Sequence, residues 1–177
     1  GGHMRKKFLA VVMVCLVSVL FVSCIGITKL IDDSPEKQQT EKSPFTKQEI
    51  KDAREVIMNY FKATNTNDIE SYNQCVVRTH IVEPGSEIHY GANREVKEIR
   101  LNTNPNMREE IILYNSPEER YFPSENVIVF EVDFDLSFDS KEDEKNYTMP
   151  AGPVEKYLFI LVRETKDGPW MINEWGY

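Results

Sequence analysis

The sequence predicts an α+β fold in which one long and one short N-terminal helix pack on a curved antiparallel meander sheet. Residues 46–62 repeat apolar side chains every three or four positions, and residues 126–138 alternate apolar and polar side chains. The clear helical patterns come before the clear strand patterns along the chain. Helices that are segregated from an antiparallel sheet in this way are typical of the α+β class.

The first helix has a well-defined predicted start. Thr46 and Glu49 have the spacing of a capping box, and Phe45 and Ile50 occupy the two positions of a hydrophobic staple. An apolar stripe then runs to Phe61, which predicts a helix of about 18 residues that is buried along one face. Residues 67–76 predict the short second helix, with Asn67 as its N-cap.

The middle of the chain gives weaker patterns. Pro84-Gly85 predicts a turn, residues 87–90 a short strand, and residues 95–102 an alternating strand. Residues 105–114 fit either a helix or a strand, and we slightly favour the helix.

The C-terminal third predicts three strands. In residues 126–138 every even position from Ile128 to Phe138 is apolar, so this strand has one core-facing side, which the first helix is expected to cover. Residues 139–145 predict a charged loop. Residues 154–164 and 170–175 predict an antiparallel hairpin around the turn at Asp167-Gly168-Pro169.

The strand at 154–164 is apolar on both faces, with Tyr157, Phe159 and Leu161 opposite Leu158, Ile160 and Val162. A sheet that is covered by one helix needs a single apolar face, so the second face should be covered as well. Residues 105–122 or a second copy of the chain, as a homodimer through the outer sheet face, are the two candidates.

The N-terminal residues predict an export signal. Gly1-Gly2-His3 before Met4 indicates a cloning remnant, and a basic stretch then precedes an apolar run from Phe8 to Ile27. The run ends in Leu20-Phe21-Val22-Ser23-Cys24, which resembles the bacterial lipobox, although Phe21 stands where Leu is usual. By that resemblance the chain is cut before Cys24, whose thiol carries a lipid.

An uncleaved membrane-spanning helix is the alternative, because twenty apolar residues are long enough to cross a bilayer. Either way, the remaining chain is expected on the extracytoplasmic face of the cell membrane. We divide the chain into residues 1–23 (remnant and signal peptide), 24–45 (lipidated Cys and flexible linker) and 46–177 (a single domain). The linker prediction rests on a polar stretch with two prolines and no period.

The charge balance argues against nucleic acid as a partner. Loss of residues 1–23 lowers the basic residues from 21 to 18 against 29 acidic ones, so the formal charge falls from −8 to −11. Nucleic-acid binding needs a basic surface. The same processing leaves Cys75 without a disulfide partner, and its apolar neighbours favour a buried thiol.

The closing Trp170-x-Ile172-x-x-Trp175-Gly176, together with the capped helix, the short helix and the meander, resembles the nuclear transport factor 2-like (cystatin-like) cone. More narrowly, the chain resembles a group of small uncharacterised bacterial lipoproteins with this fold. The likeness covers residues 46–177. The fold hosts isomerases, dehydratases, ligand carriers and interaction modules, so the resemblance implies a fold and no particular reaction.

A cone implies a pocket between helix and sheet. Aromatic residues are expected either to line it as a site for a small apolar ligand or to form a filled core instead: Tyr60, Tyr72, Phe130, Phe134, Trp170 and Trp175. The sequence contains no recognisable nucleophile, metal or phosphate motif, so we expect no catalytic residue and no cofactor. His80 and His89 are nine residues apart, which places them on no common helix face.

Glu131, Asp133 and Asp135 form an acidic strip on the outer face of the central strand. A solvated surface is the simpler interpretation, and docking of a basic partner is the alternative. The leading functional hypothesis is a membrane-anchored lipoprotein with a non-catalytic binding domain. An isomerase- or dehydratase-type enzyme and an accessory or sensor subunit of an envelope membrane protein are the alternatives.

Overall fold

The computed structural model describes residues 43–108 and 122–176, and these residues belong to a compact unit that spans Thr40–Tyr177. The fold is α+β. Helix α1 spans Lys47–Thr66, α2 spans Ile69–Cys75 and α3 spans Lys141–Asn146. Strands β1 (Ala92–Leu101), β2 (Val127–Phe138), β3 (Gly152–Val162) and β4 (Met171–Gly176) pair in sequence order as an antiparallel meander.

Helix α1 begins as the sequence predicts. The Thr46 side chain accepts from the backbone N–H of Glu49, and the Glu49 carboxylate accepts from the backbone N–H of Thr46 at 2.8 Å. Both staple residues, Phe45 and Ile50, are buried in the main core. The reciprocal cap satisfies two backbone donors that a helix start would otherwise leave unpaired.

The junction between α1 and α2 differs from the prediction. Asn67 ends α1 in the left-handed conformation (φ 52°), and Asp68 is the N-cap of α2. Asn tolerates the left-handed region better than most residues, which explains why it ends one helix instead of starting the next.

The core lies between α1 and one face of the sheet. The even positions of β2 from Ile128 to Leu136 are all buried, and Phe138 is half-buried at the strand end. These side chains belong to the same cluster as Ile57 and Phe61 of α1. The predicted packing of the central strand against the first helix is therefore confirmed.

A β-bulge explains the pattern of β1. The register of β1 on β2 shifts between Val96 and Glu98, so that Val96, Ile99 and Leu101 all pack against the main core. Without the extra residue, Val96 would lie on the opposite face from the other two. The sequence alternation alone did not reveal this shift.

The second face of the sheet carries a smaller buried cluster of Val77, Val127, Val129, Ile160 and Val162. The prediction that both faces of β3 are apolar and covered is confirmed. Phe122, at the end of the segment 105–122, is one of the side chains that pack against this cluster.

Two local predictions were wrong. Residues 87–90 form no strand, because side chains of the loop and of the α1–α2 junction bind their backbone N–H groups. The predicted charged loop contains α3, whose N-cap Ser140 accepts from the N–H of Asp143. Residues 105–108 are helical, and the rest of the 105–114 prediction lies outside the described residues.

Candidate functional site

A pocket of about 520 Å³ opens at one end of the domain, where α1, α2, the loop before β1, the residue after α3 and the end of β4 meet. Five aromatic side chains line it: Tyr60, Tyr72, Tyr90, Tyr147 and Trp175. Its polar lining consists of Thr64, Ser86, Glu87 and Arg94, and Val82 and Ile88 complete the wall. Most of the lining side chains carry a polar atom, so the pocket combines aromatic rings with hydrogen-bonding groups that can orient a small molecule.

Tyr60 is the centre of the aromatic wall. Its ring centroid lies 5.5 Å from that of Tyr72 and 5.4 Å from that of Trp175. Helical spacing places Tyr60 on the buried face of α1, and the left-handed turn at Asn67 brings α2 and Tyr72 alongside. Burial raises the pKa of both the Tyr60 and the Tyr72 hydroxyls, so these groups stay protonated and can donate hydrogen bonds.

Arg94 contributes the cationic group of the pocket, and its position is fixed at several points. Its Nη1 donates to the carbonyl of Ala92 at 2.8 Å, and its Nη2 donates to the hydroxyl of Tyr147 at 2.7 Å. Its backbone N–H and C=O both bind the side-chain amide of Asn65 in α1, at 3.0 and 2.8 Å. A guanidinium held in this way loses little further freedom when it binds an anion.

The loop from Ile81 to Gly91 is held by helix side chains, although it has no regular structure. Asn73 of α2 pairs with both backbone groups of Val82 at 2.9 Å, and the amide oxygen of Asn67 accepts from the N–H of Ile88 at 2.8 Å. Glu87 accepts from the N–H groups of His89 and Tyr90 through one carboxylate oxygen. These bonds replace strand pairing and hold the pocket rim.

The rim ends in a tight turn at Tyr90-Gly91. Both residues have positive φ (51° and 63°), and the N–H of Ala92 donates to the carbonyl of His89, as in a type I′ turn. Gly91 must be a glycine because a Cβ there would overlap the side chain of Asp143 in α3. Tyr90 is unusual at its position, since Asn, Asp or Gly normally precedes the glycine.

The model of a family described as a domain of unknown function, DUF4829, matches residues 54–176. The chain belongs to the DUF4829 family. No curated protein and no solved structure matches this DUF4829 chain.

The structure divides the six aromatic residues predicted to line a pocket. Tyr60, Tyr72 and Trp175 do line it. Phe130 and Phe134 are buried in the DUF4829 core between the sheet and α1, where Phe134 packs on Phe61 at 5.2 Å. Trp170 is also buried, and the guanidinium carbon of Arg163 lies 4.4 Å from the centroid of its ring. Phe130 and Phe134 occupy even positions of the central strand, which face the middle of the core, so their rings do not reach the pocket.

The acidic strip on β2 is largely paired within the DUF4829 domain. Asp133 receives two hydrogen bonds of 2.7 Å from Arg100, and this ion pair, more than any other contact, lowers the pKa of its carboxyl. Asp135 pairs with Lys97 at 3.1 Å, and Glu131 accepts from Asn102 at 3.0 Å. Neighbouring side chains thus bind both oxygens of Asp133 and one oxygen each of Asp135 and Glu131.

The remaining chemically active side chains do not form one site. His80 binds the carbonyl of Asn173 at 2.7 Å, and His89 binds Asp139 at 3.0 Å. Cys75 is buried, which raises the pKa of its thiol to about 11. Within residues 43–108 and 122–176, no group of three His, Cys, Asp or Glu side chains is placed to hold a metal ion.

Three predicted features lie outside the described residues: Cys24, the signal sequence and most of the linker. Among the helices that the structure describes, none is long and apolar enough to span a bilayer.

Sequence reasoning missed Arg94, Glu87, Tyr90 and Tyr147 as pocket residues. Arg94 and Tyr147 come together only through tertiary structure, because 53 positions separate them. A signal for Tyr90 did exist, since Tyr90-Gly91 directly precedes a strand pattern, where a turn with positive φ is expected.

Proposed function

We propose that this DUF4829 chain is a lipid-anchored binding protein of the bacterial cell envelope, which holds a small ligand in the aromatic pocket and does not transform it. The observation that carries the proposal is the pocket of about 520 Å³ with five aromatic side chains. This volume lies in the range of small-molecule sites, and the ring of Tyr60 packs in tilted contacts against the rings of Tyr72 and Trp175.

The apolar core supports a role in binding rather than catalysis. Enzymes of the cone type that the sequence resembles place an acid or base among the residues that face the helix from the sheet. Here those positions of β2 hold apolar side chains, and Phe130 and Val132 have no exposed surface. The helix-on-meander arrangement is compatible with the nuclear transport factor 2-like cone, and that finer assignment is part of the proposal.

The envelope location rests on the lipobox resemblance at Cys24 and on the polar linker that follows it. A homodimer through the outer sheet face stays a prediction. The reason for it is weaker, because Val162 and the rest of the second cluster are already buried within one chain.

One observation favours an isomerase- or dehydratase-type enzyme as the second candidate. The Glu87 carboxylate lines the pocket, and two backbone N–H groups fix its orientation. A carboxylate with a guanidinium in the same pocket can serve as a general base and as a stabiliser of developing negative charge. This candidate predicts that Glu87→Gln abolishes conversion of a bound ligand, whereas the binding proposal predicts that the ligand is recovered unchanged.

The test of the proposal is a ligand screen by NMR on the full chain in a non-ionic detergent, which follows the indole N–H of Trp175. We expect members of a mixed fragment library to shift this signal in the wild type. Ser86→Tyr, which places a ring inside the pocket, should remove these shifts.

Ser137→Tyr is the matched control, because it adds the same ring at an exposed position of β2. It should bind as the wild type does. Absence of any Trp175 shift in the folded wild type, or equal binding by Ser86→Tyr, would show that the pocket is not a ligand site.

A further inference from the structure

Arg94 supplies the positive charge of the pocket, and within the part of the chain that the structure describes it lacks the carboxylate partners that Arg100 and Arg163 have. Arg100 contacts three carboxylates, Glu98, Glu131 and Asp133, and Arg163 pairs with Glu49 at 2.8 Å. Among the described residues, no carboxylate pairs with Arg94. Its two side-chain hydrogen bonds go to neutral oxygens, those of Ala92 and Tyr147.

An arginine with neutral partners, held at the wall of an aromatic pocket, keeps its positive charge available to a ligand. A guanidinium has five N–H donors, so two bonds leave capacity for a carboxylate or a similar oxyanion. The chain carries a formal net charge of −8, so Arg94 is not part of a general excess of positive charge.

The surrounding groups favour a single anionic group on a flat body. Tyr60 and Tyr72 have protonated hydroxyls, which donate to an anion and do not repel it. The half-buried ring of Trp175 lines the pocket and offers a surface on which a planar ligand can stack, whereas the ring of Tyr60 is itself buried against Tyr72 and Trp175. The Glu87 carboxylate on the rim would repel a second negative group on the ligand.

We propose that the aromatic pocket binds a small planar organic anion, with the anionic group seated on Arg94 and the flat body against Trp175. This inference rests on the proposed binding function and adds the chemical class of the ligand.

The test compares matched probes on the full chain in a non-ionic detergent: benzoate, its neutral isostere benzamide, and benzylammonium. The readout is the indole N–H of Trp175, with the signal of Trp170, buried in the core, as an internal reference. We expect benzoate to bind more tightly than benzamide by about tenfold or more, since hydrogen bonds to charged groups are among the stronger ones.

Arg94→Met should remove this preference, and Arg94→Lys should keep part of it. Arg78→Met is the matched control, because it removes the same charge from an exposed position that does not line the pocket. It should retain the full preference for benzoate. If Arg94→Met fails to fold, Tyr147→Phe serves instead. It removes the hydroxyl that holds Nη2 and should weaken benzoate several-fold while leaving benzamide unchanged.

The outcomes separate the two proposals. Equal or tighter binding of benzamide or benzylammonium at Trp175, or a benzoate preference that survives in Arg94→Met, would overturn the anion assignment and leave the binding function standing. If none of the three probes shifts Trp175 at millimolar concentration while the mixed fragment library does, the anion assignment alone falls. If the library fails as well, both fall.

Discussion

Tyr90 combines two features that each cost free energy. It has a left-handed backbone, which is rare for a bulky side chain, and 60% of its surface is exposed. Strained residues that persist in a fold are concentrated at functional sites, and Tyr90 stands at the mouth of the pocket. If the pocket binds a ligand as we propose, the strained turn serves to place the ring of Tyr90 at its mouth.

Tyr90→Asn should stabilise the protein and weaken binding at the same time. Asn accepts the left-handed conformation, so we expect a gain of about 1 kcal/mol in the free energy of unfolding, measured in urea. The loss of the ring should reduce the affinity of any ligand that shifts Trp175. Tyr90→Phe is the control, because it keeps both ring and strain; a Tyr90→Asn variant that is less stable than Tyr90→Phe would contradict the argument.

Arg163 and Glu49 form a largely buried ion pair. Arg163 is 4% exposed, and its guanidinium donates to the side chain of Asn126 and to the backbone carbonyl of Glu125. It also pairs with the carboxylate of Glu49, which connects the end of β3 to the start of α1. The backbone N–H of Thr46 lowers the pKa of Glu49, and Arg163 lowers it further.

Glu49 should make stability depend on pH in the acid range. Because its folded-state pKa lies below the unfolded value of 4.5, its contribution is complete above that pH and is lost as the pH falls through the folded-state pKa. Glu49→Gln should therefore be less stable than the wild type at pH 7, by about 1–3 kcal/mol, and the gap should narrow below pH 4.5.

Urea unfolding at pH 7, 5, 4 and 3 measures this gap. Glu55→Gln, which removes a carboxylate from the exposed face of α1, is the control and should show no comparable gap. A Glu49→Gln deficit that stays constant down to pH 3 would show that charge plays no part in the role of Glu49.

At the level of elements, Asn67 joins the α1–α2 corner to the pocket rim. Its backbone ends α1, and its amide oxygen accepts from the N–H groups of Ile88 and His89, at 2.8 and 3.3 Å. One residue thus sets both the angle between the helices and the position of the loop that carries Glu87 and Tyr90.

Asn67→Gly should loosen the loop while it keeps the helix end. Glycine adopts positive φ without cost but has no acceptor, so the Ile88 amide should exchange its hydrogen faster by about tenfold. Asn67→Asp keeps an acceptor oxygen and should preserve the protection. Hydrogen exchange read by NMR measures both variants, and equal protection in Asn67→Gly would mean that other contacts hold the loop.

The elements that sequence patterns predicted are those with local causes. The capping box at Thr46 and the alternation along β2 need only neighbouring residues, and both are confirmed. The features that were missed depend on partners far along the chain. Asn65 binds Arg94 across 29 positions, and the α1–α2 corner at Asn67 anchors a loop 21 positions away. The prediction that Phe130, Phe134 and Trp170 line the pocket was wrong for the same reason, because helical and strand spacing do not show which aromatic rings lie at an opening.

At the scale of the whole molecule, the pocket and the proposed lipid anchor both agree with the proposed binding of a ligand close to the membrane. The described domain has a pocket of about 520 Å³ at one end, and Asp133 and Asp135 of its outer acidic strip pair with Arg100 and Lys97. A lipid on Cys24 followed by a polar linker would keep this pocket near the membrane and leave the domain free to rotate.

Cys24→Ala should release the protein from membranes. Without the thiol, no diacylglycerol can be attached, and its two acyl chains are about what stable anchoring needs, because one chain gives only marginal binding. Fractionation of bacterial cells that express the full chain, with mass spectrometry of the N-terminus, measures the effect. Cys15→Ala is the matched control, because it removes a thiol from the same apolar run but not from the lipobox, and it should remain membrane-bound. Membrane retention of Cys24→Ala with an unprocessed N-terminus would show instead that residues 8–27 span the bilayer as a helix.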